Sequence, residues 1–203
     1  METYIQKDGE TLVQYARGKT ATTFTIPDGV TSIGYAAFIN CNALQSVIIP
    51  DSVTLIGNSA FCNCDSLISV KLSDNVTSID WYAFKHCDSL MSVEIGDGVT
   101  SIKGDAFFQC ANLTSVKIGN GITSIGGSAF ECCEKLKSVE IGDSITTIGN
   151  YAFSDCIALT RLVLGNNLKK MKRSVKHYFW IQNQCLQAKH FSSNTALQTL
   201  HLN

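Results

Sequence analysis

Apolar residues return at the same places in every 23 residues from Val30 to Asn167, six times over and without a gap. The shared pattern is V-T-S-I-G-x-x-A-F-x-x-C-x-x-L-x-S-V-x-I-G-D-x. Its fourth position is Ile33, Ile56, Ile79, Ile102, Ile125 and Ile148, and its aromatic position is Phe38, Phe61, Phe84, Phe107, Phe130 and Phe153. A strict period of this length marks stacked units, each unable to bury its own apolar edge alone. Within a unit, the stretch typified by Leu90-Met91-Ser92-Val93-Glu94-Ile95 ends in the apolar–polar alternation of a half-buried strand. One such strand per unit predicts a parallel sheet with strands about 4.8 Å apart. Gly-Asp or Pro-Asp then supplies a turn, and a short apolar pair such as Val76 and Ile79 starts a return wall. The segment from Ala-Phe to Cys is expected to make one tight helical or 3₁₀ turn. The six Phe side chains would form an internal spine, each burial worth roughly 1.5–3 kcal/mol.

The chain ends read as caps. Tyr4-Ile5-Gln6 and Leu12-Val13-Gln14-Tyr15, around a turn with Asp8-Gly9, suggest a β-hairpin. Phe24 and Ile26 match the last core positions of a partial unit. Leu168 and Met171 match the opening of a seventh unit, and Phe191, Leu197, Leu200 and Leu202 its close, with 15 extra residues around Arg173–Cys185. Val175, Phe179 and Leu186 could share a helix face there. The organisation expected is a cap at 1–29, six repeats at 30–167, and a C-terminal cap at 168–203.

With Ala-Phe-x-x-Cys-x-x-Leu in every unit, the repeat resembles the BspA-like leucine-rich repeat family. The lead-in Asp8-Gly9-Glu10-Thr11-Leu12-Val13 is also similar to it. One departure is that Ser52, Asn75, Gly98, Gly121, Ser144 and Asn167 stand where the commoner leucine-rich repeat keeps Asn or Cys, so a full Asn ladder is lost. The resemblance implies a right-handed superhelix with a parallel sheet on one face and short strands or turns on the other. It also implies adhesion or host-protein binding at a cell surface or after secretion; the residues themselves indicate only a scaffold.

Composition agrees with a packed rod: 45% of the 203 residues are hydrophobic and 16% charged. No apolar run approaches the ~18 residues needed to span a bilayer. The start, Met1-Glu2-Thr3-Tyr4-Ile5-Gln6-Lys7-Asp8, lacks a signal peptide's basic head and apolar stretch. The compartment therefore stays open between an intracellular chain and a mature or cloned segment. The net charge of −1 is uneven: residues 1–167 hold 10 basic against 17 acidic side chains, whereas 168–203 hold six Lys or Arg and no acid.

Six of the nine cysteines are locked to the repeat: Cys41, Cys64, Cys87, Cys110, Cys133 and Cys156. As small, readily buried side chains they are expected to form a thiol stack. Neighbours in such a stack point the same way, which disfavours disulfides, and the odd count excludes a complete internal disulfide framework. Cys62 and Cys132 fall on more exposed positions. Zinc needs ligands converging at set spacings, so no metal site and no cofactor are expected. His86 beside Cys87 suggests a catalytic dyad only until burial of Cys87 and an outward His86 are considered. The glycine-rich 121–128 stretch lacks the Lys of a phosphate loop. No catalytic set emerges, and an enzyme is not expected. The sequons at Asn75 and Asn112 matter only in a eukaryotic secretory setting.

Three surfaces could carry binding. Outward strand positions give a Ser ladder (Ser46, Ser69, Ser92, Ser115, Ser138, then Arg161) and a mixed ladder (Ile48, Lys71, Glu94, Lys117, Glu140, Val163). Alternating Lys and Glu in the second are expected to pair across strands at roughly 0.2–1 kcal/mol each. Around Ala-Phe the identities vary most and include Tyr35, Trp81, Tyr82, Phe108 and Tyr151, residue types enriched at protein interfaces; scattered surface aromatics are an equal alternative. The basic patch Lys169, Lys170, Lys172, Arg173 and Lys176, with nearby Tyr178, Phe179 and Trp180, could meet nucleic acid or an anionic membrane. Sealing the end of the core is the preferred reading there, so nucleic-acid binding is disfavoured. The expectation is a monomeric, non-catalytic module for a protein ligand, with an intracellular interaction scaffold as an alternative.

Overall fold

A computed structural model describes residues 4–5, 10–15, 18–171 and 198–201. Its strands in chain order are β1 Tyr4–Ile5, β2 Thr11–Gln14, β3 Thr23–Thr25, β4 Ser32–Ile33, β5 Ser46–Ile48, β6 Leu55–Ile56, β7 Ser69–Lys71, β8 Ser78–Ile79 and β9 Ser92–Ile95. Then follow β10 Ser101–Ile102, β11 Ser115–Ile118, β12 Ser124–Ile125, β13 Ser138–Ile141, β14 Thr147–Ile148, β15 Arg161–Leu164, β16 Lys170–Met171 and β17 Gln198–His201. There is no helix among the described residues.

Two sheets form, because each coil contributes two strands. The even-numbered strands from β2 to β16 stack in parallel into a narrow sheet, with β1 added antiparallel at its N-terminal edge. The odd-numbered strands from β3 to β15 stack in parallel into a broad sheet. Register is the repeat itself: Ile79 pairs with Ile102 and Val93 with Val116. The chain is thus a parallel β-solenoid of about seven turns.

Between the two sheets runs a wall of turns where a helical or 3₁₀ turn was expected. In every unit two non-glycine residues there take positive φ, for example Tyr82 at 59° and His86 at 56°. Alternate amides then divide their partners. Ala83, Lys85 and Cys87 N–H donate three residues back within the coil, while Tyr82, Phe84 and His86 N–H donate to Gly104, Ala106 and Phe108 of the next coil. A helical turn would satisfy its amides internally, and at roughly 10–12 Å across it does not fit rungs stacked about 4.8 Å apart. The alternating turn keeps the wall linked along the rod.

Inside, the Phe rings form a column. Phe61, Phe84, Phe107 and Phe130 stack at centroid spacings of 5.0–5.1 Å and interplanar angles of 3°. Tyr15 closes the N-terminal end: its ring lies 5.2 Å from Phe38, and its N–H donates to Ala37 O at 2.7 Å, copying the bond from Phe38 to Ala60. Leu12 pairs with Ile33, so the hairpin strand β2 also serves as the first rung of the narrow sheet. Lys19 Nζ sits 5.3 Å over the Tyr15 ring, at the end of the wall where carbonyls point outward.

A second column holds the thiols. Cys64, Cys87, Cys110, Cys133 and Cys156 are buried, and each Sγ donates to a Phe carbonyl 26 residues earlier at 3.0–3.3 Å. Cys41, in the first of the six repeats, is half-buried, and its Sγ donates to Ile39 O at 3.9 Å. None of the eight described cysteines forms a disulfide.

A hydroxyl ladder locks the outside. Thr54, Thr77, Thr100, Thr123 and Thr146 each donate Oγ1 to the carbonyl of the Thr 23 residues earlier, at 2.9–3.2 Å. At the far end β17 pairs antiparallel with β15, Leu162 opposite Leu200, where a closing half-repeat in register would run parallel. Leu168 packs against the core, while Phe191, Leu197, Leu202 and the suggested helix face at Val175, Phe179 and Leu186 lie outside the described residues.

Candidate functional site: an aromatic strip on the turn wall

The positive-φ turns bury Ala and Phe and turn the residues around them outward, so the wall displays the most variable side chains of the repeat. Tyr35, Trp81, Tyr82 and Tyr151 are 75%, 46%, 36% and 53% exposed, whereas Phe108 is half-buried. Three of these five come together. Trp81 and Tyr82 are adjacent rings 6.2 Å apart, and Phe108 follows on the next coil. Tyr35 stands two coils before Trp81 and Tyr151 three coils after it, about 10 and 14 Å along the stack.

Lys85 completes the group. Its ammonium lies 5.1 Å from the Tyr82 centroid and 4.7 Å from that of Phe108, within cation–π range of both. His86 meets Phe108 edge-on at 5.8 Å. The Trp81 ring lies over Gly104, where an added Cβ would fall 2.2 Å from the indole. Glycine on the next coil is thus what lets the indole lie flat against the wall with its other face open. Lys85, His86 and Gly104 were not singled out as interface residues from sequence; the signal was the 23-residue offset, which makes residues 85 and 108 neighbours.

His86 and Cys87 do not face one another, since the Cys87 thiol is buried and donates to Phe61 O at 3.1 Å. Burial, then neighbouring thiols, raises the Cys87 pKa well above its usual value. Such a thiol is a poor nucleophile. Cys62 and Cys132 are half-buried, as their positions suggest. The register also brings Glu131, Cys132 and Asp155 together, with ligand atoms within 4.8 Å of one another. Burial, followed by Asp155, Glu131 and Glu134, raises the Cys132 thiol.

The strand ladders differ from expectation. Lys71, Glu94, Lys117 and Glu140 are side by side in register, yet among the described residues the one ion pair is Arg161–Glu140. Arg161 reaches across from the Ser ladder instead. Val163 is buried at the end of its ladder. Ile48 on the broad sheet, and Ile68 and Met91 immediately before its strands β7 and β9, leave exposed apolar surface, of which only Ile48 lay on a predicted ladder. A cavity of about 200 Å³ at the N-terminal end is lined by Tyr15, Lys19, Asn40, Cys41 and Leu44.

In the basic patch, Lys169 is exposed and its N–H donates to Thr146 O, and Lys170 lies on β16; Lys172, Arg173 and Lys176 are outside the described residues. No described helix is long and apolar enough to cross a membrane.

No curated protein sequence matches the chain. Solved structures do. A leucine-rich cell surface protein from Faecalibacterium prausnitzii A2-165 is 32% identical over 85% of this chain and 38% of its own, with a TM-score of 0.58. The leucine-rich repeat protein of T. pallidum is 25% identical over 78% of this chain and 66% of its own, at 0.56. One from Bacteroides ovatus ATCC 8483 is 25% identical over 86% of this chain and 59% of its own, at 0.53. The chain therefore spans less than two thirds of the length of each. The model of the BspA type leucine-rich repeat region matches residues 14–111 and 77–200, in six copies. This chain belongs to the BspA-type leucine-rich repeat family.

Proposed function

We propose that the chain is a non-catalytic protein-binding module whose contact surface is the strip Trp81, Tyr82, Lys85 and Phe108, acting at a cell surface in adhesion. The observation carrying this reading is the pinned geometry of that strip: an indole laid on Gly104 with its other face open, and a cation held between two rings. Rigid aromatic side chains of this kind lose little conformational entropy on contact and dominate interface energetics. The surface location draws support from the cell surface protein it resembles. In this reading the module is monomeric; 1–29 and 168–203 cap the repeats at 30–167, and the basic patch belongs to the cap.

The test compares capture of extracellular proteins by the wild-type chain with that by Trp81→Ala/Tyr82→Ala, Gly104→Ala, Tyr35→Ala and Tyr151→Ala. Loss of a central aromatic anchor costs at least about 2 kcal/mol, or roughly 30-fold in affinity. The first two variants should lose the same partner, while the last two, on distant coils, keep it. Equal capture by all five chains would refute the strip as the contact surface.

A further inference from the structure

The corner leading from the broad sheet back to the narrow sheet carries Asp or Asn in each coil: Asp51, Asp74, Asp97, Asn120, Asp143 and Asn166. Of the five rungs, three are closed by a side chain, while those from Asp51 to Asp74 and from Asn120 to Asp143 are not. Asp97 N–H donates to Asp74 Oδ1 at 2.8 Å, Asn120 N–H to Asp97 Oδ1 at 2.7 Å, and Asn166 N–H to Asp143 Oδ1 at 2.8 Å. The acceptor is an aspartate each time. From Asn120 to Asp143 the rung is open: the exposed Asn120 side chain makes no hydrogen bond to any described residue, although its Oδ1 reaches over Gly142 as Asp74 Oδ1 reaches over Gly96.

Packing dictates the residue that follows. On the backbone as it stands, a Cβ at Gly121 would lie 1.9 Å from the Asp97 carbonyl oxygen, so this coil takes glycine where Ser52, Asn75, Ser144 and Asn167 stand on others. Asn120–Gly121 is consequently the one Asn–Gly step in the chain. The Gly121 N–H is unhindered by a side chain and makes no hydrogen bond to any described residue.

We infer that Asn120 is a self-modifying site, converted to a carboxylate in the folded protein by attack of its neighbour's backbone nitrogen. Gly121 N, having given its proton to solvent base, bonds to Asn120 Cγ. The bond from Cγ to the amide nitrogen breaks, that nitrogen leaves as ammonia, and a cyclic imide remains. Water then opens the ring, returning either aspartate or the β-linked isoaspartate. The aspartate product puts a carboxylate where Asp74, Asp97 and Asp143 carry theirs, and its oxygen takes Asp143 N–H, closing this rung as theirs are closed. The isoaspartate product adds a methylene to the backbone at a corner with no slack. At the adjacent Asp97–Gly98 step the Asp97 carboxylate is already held by Asn120 N–H, which disfavours the same attack. The corner is separate from the aromatic strip on the turn wall, so binding there and ageing here are independent.

The experiment incubates the folded chain in mildly alkaline buffer and follows each asparagine by peptide mass mapping, beside the chain unfolded in urea. Asn120 should gain the mass of an amide-to-acid conversion at least several-fold faster than Asn112 or Asn150 in the folded chain. Asn120→Asp should abolish the new species and slow hydrogen exchange of the Asp143 amide several-fold. If Asn120 keeps its amide when folded but converts in urea, the turn holds the two groups apart and the site does not exist. Conversion no faster than at Asn112 overturns it equally, and unchanged Asp143 exchange in Asn120→Asp overturns the closing of the rung.

Discussion

At the scale of single residues, the thiol column makes the fold sensitive to alkali. Burial, above all else, pushes the Cys110 and Cys156 thiols up to about 12 from an ordinary 9.0. A raised folded pKa means that the folded chain keeps a proton the unfolded chain releases. The stabilisation is full below pH 9 and is lost as pH climbs through about 12. For one such thiol, unfolding free energy should fall by about 1.4 kcal/mol between pH 8 and pH 10. Cys110→Ser retains a donor toward Phe84 O but has no comparable ionisation. Urea unfolding at the two pH values should show its drop smaller than the wild type's by about that amount. An identical drop would mean that the thiol ionises freely in the folded chain.

At the scale of the element, the turn wall is where side chains and backbone disagree most. Every coil asks two residues to adopt positive φ, and the sequence supplies Ala36, Ser59, Tyr82, Asp105, Ser128 and Tyr151 at the first of these places rather than glycine. For an L-residue with a Cβ this costs roughly 1–2 kcal/mol, partly offset by glycine's greater entropy when unfolded. Ala36→Gly should therefore stabilise the chain by roughly 0.5–1 kcal/mol in urea melts. A destabilised variant would show that the Ala36 methyl packs more productively than its backbone angle suggests. The same geometry explains why Tyr82 and Tyr151 are displayed at all. A left-handed residue next to an inward Ala-Phe pair carries its side chain outward.

At the scale of the whole molecule, each coil touches only its neighbours, so stability should behave as a sum of units and interfaces. Removing 99–121 brings Ile79 against Ile125 and Phe84 against Phe130, continuing the Phe, Cys and Thr columns while setting Glu94 beside Glu140. That 23-residue deletion should unfold in a single cooperative step, with its m-value lowered by roughly a tenth in line with the surface lost. A deletion of 22 residues at the same place sets each subsequent Phe out of line with the column, and should abolish the cooperative transition in circular dichroism. Equal behaviour of the two deletions would deny that register holds the rod together.

Much of this was legible in the chain. The period alone placed the Phe and Cys columns and the parallel register, because identical residues at a fixed interval can pack only on their own copies, while the hairpin showed in its own strand-turn-strand pattern. The period also located the variable positions around Ala-Phe that hold Tyr35, Trp81, Tyr82, Phe108 and Tyr151, without telling which of them meet. The pairing of Arg161 with Glu140 instead of Lys with Glu, and the reversed direction of β17, were not legible, since both depend on which neighbours end the stack. Nor was the wall's backbone: an Ala-Phe-x-x-Cys spacing suits a helical turn when only side chains are counted. What the sequence determined was which side chains lie inside, through burial repeated every 23 residues. Tertiary structure decided how the chain turns between sheets and which surface residues meet, because hydrogen bonds and ring contacts between coils join residues that the sequence separates by a whole turn.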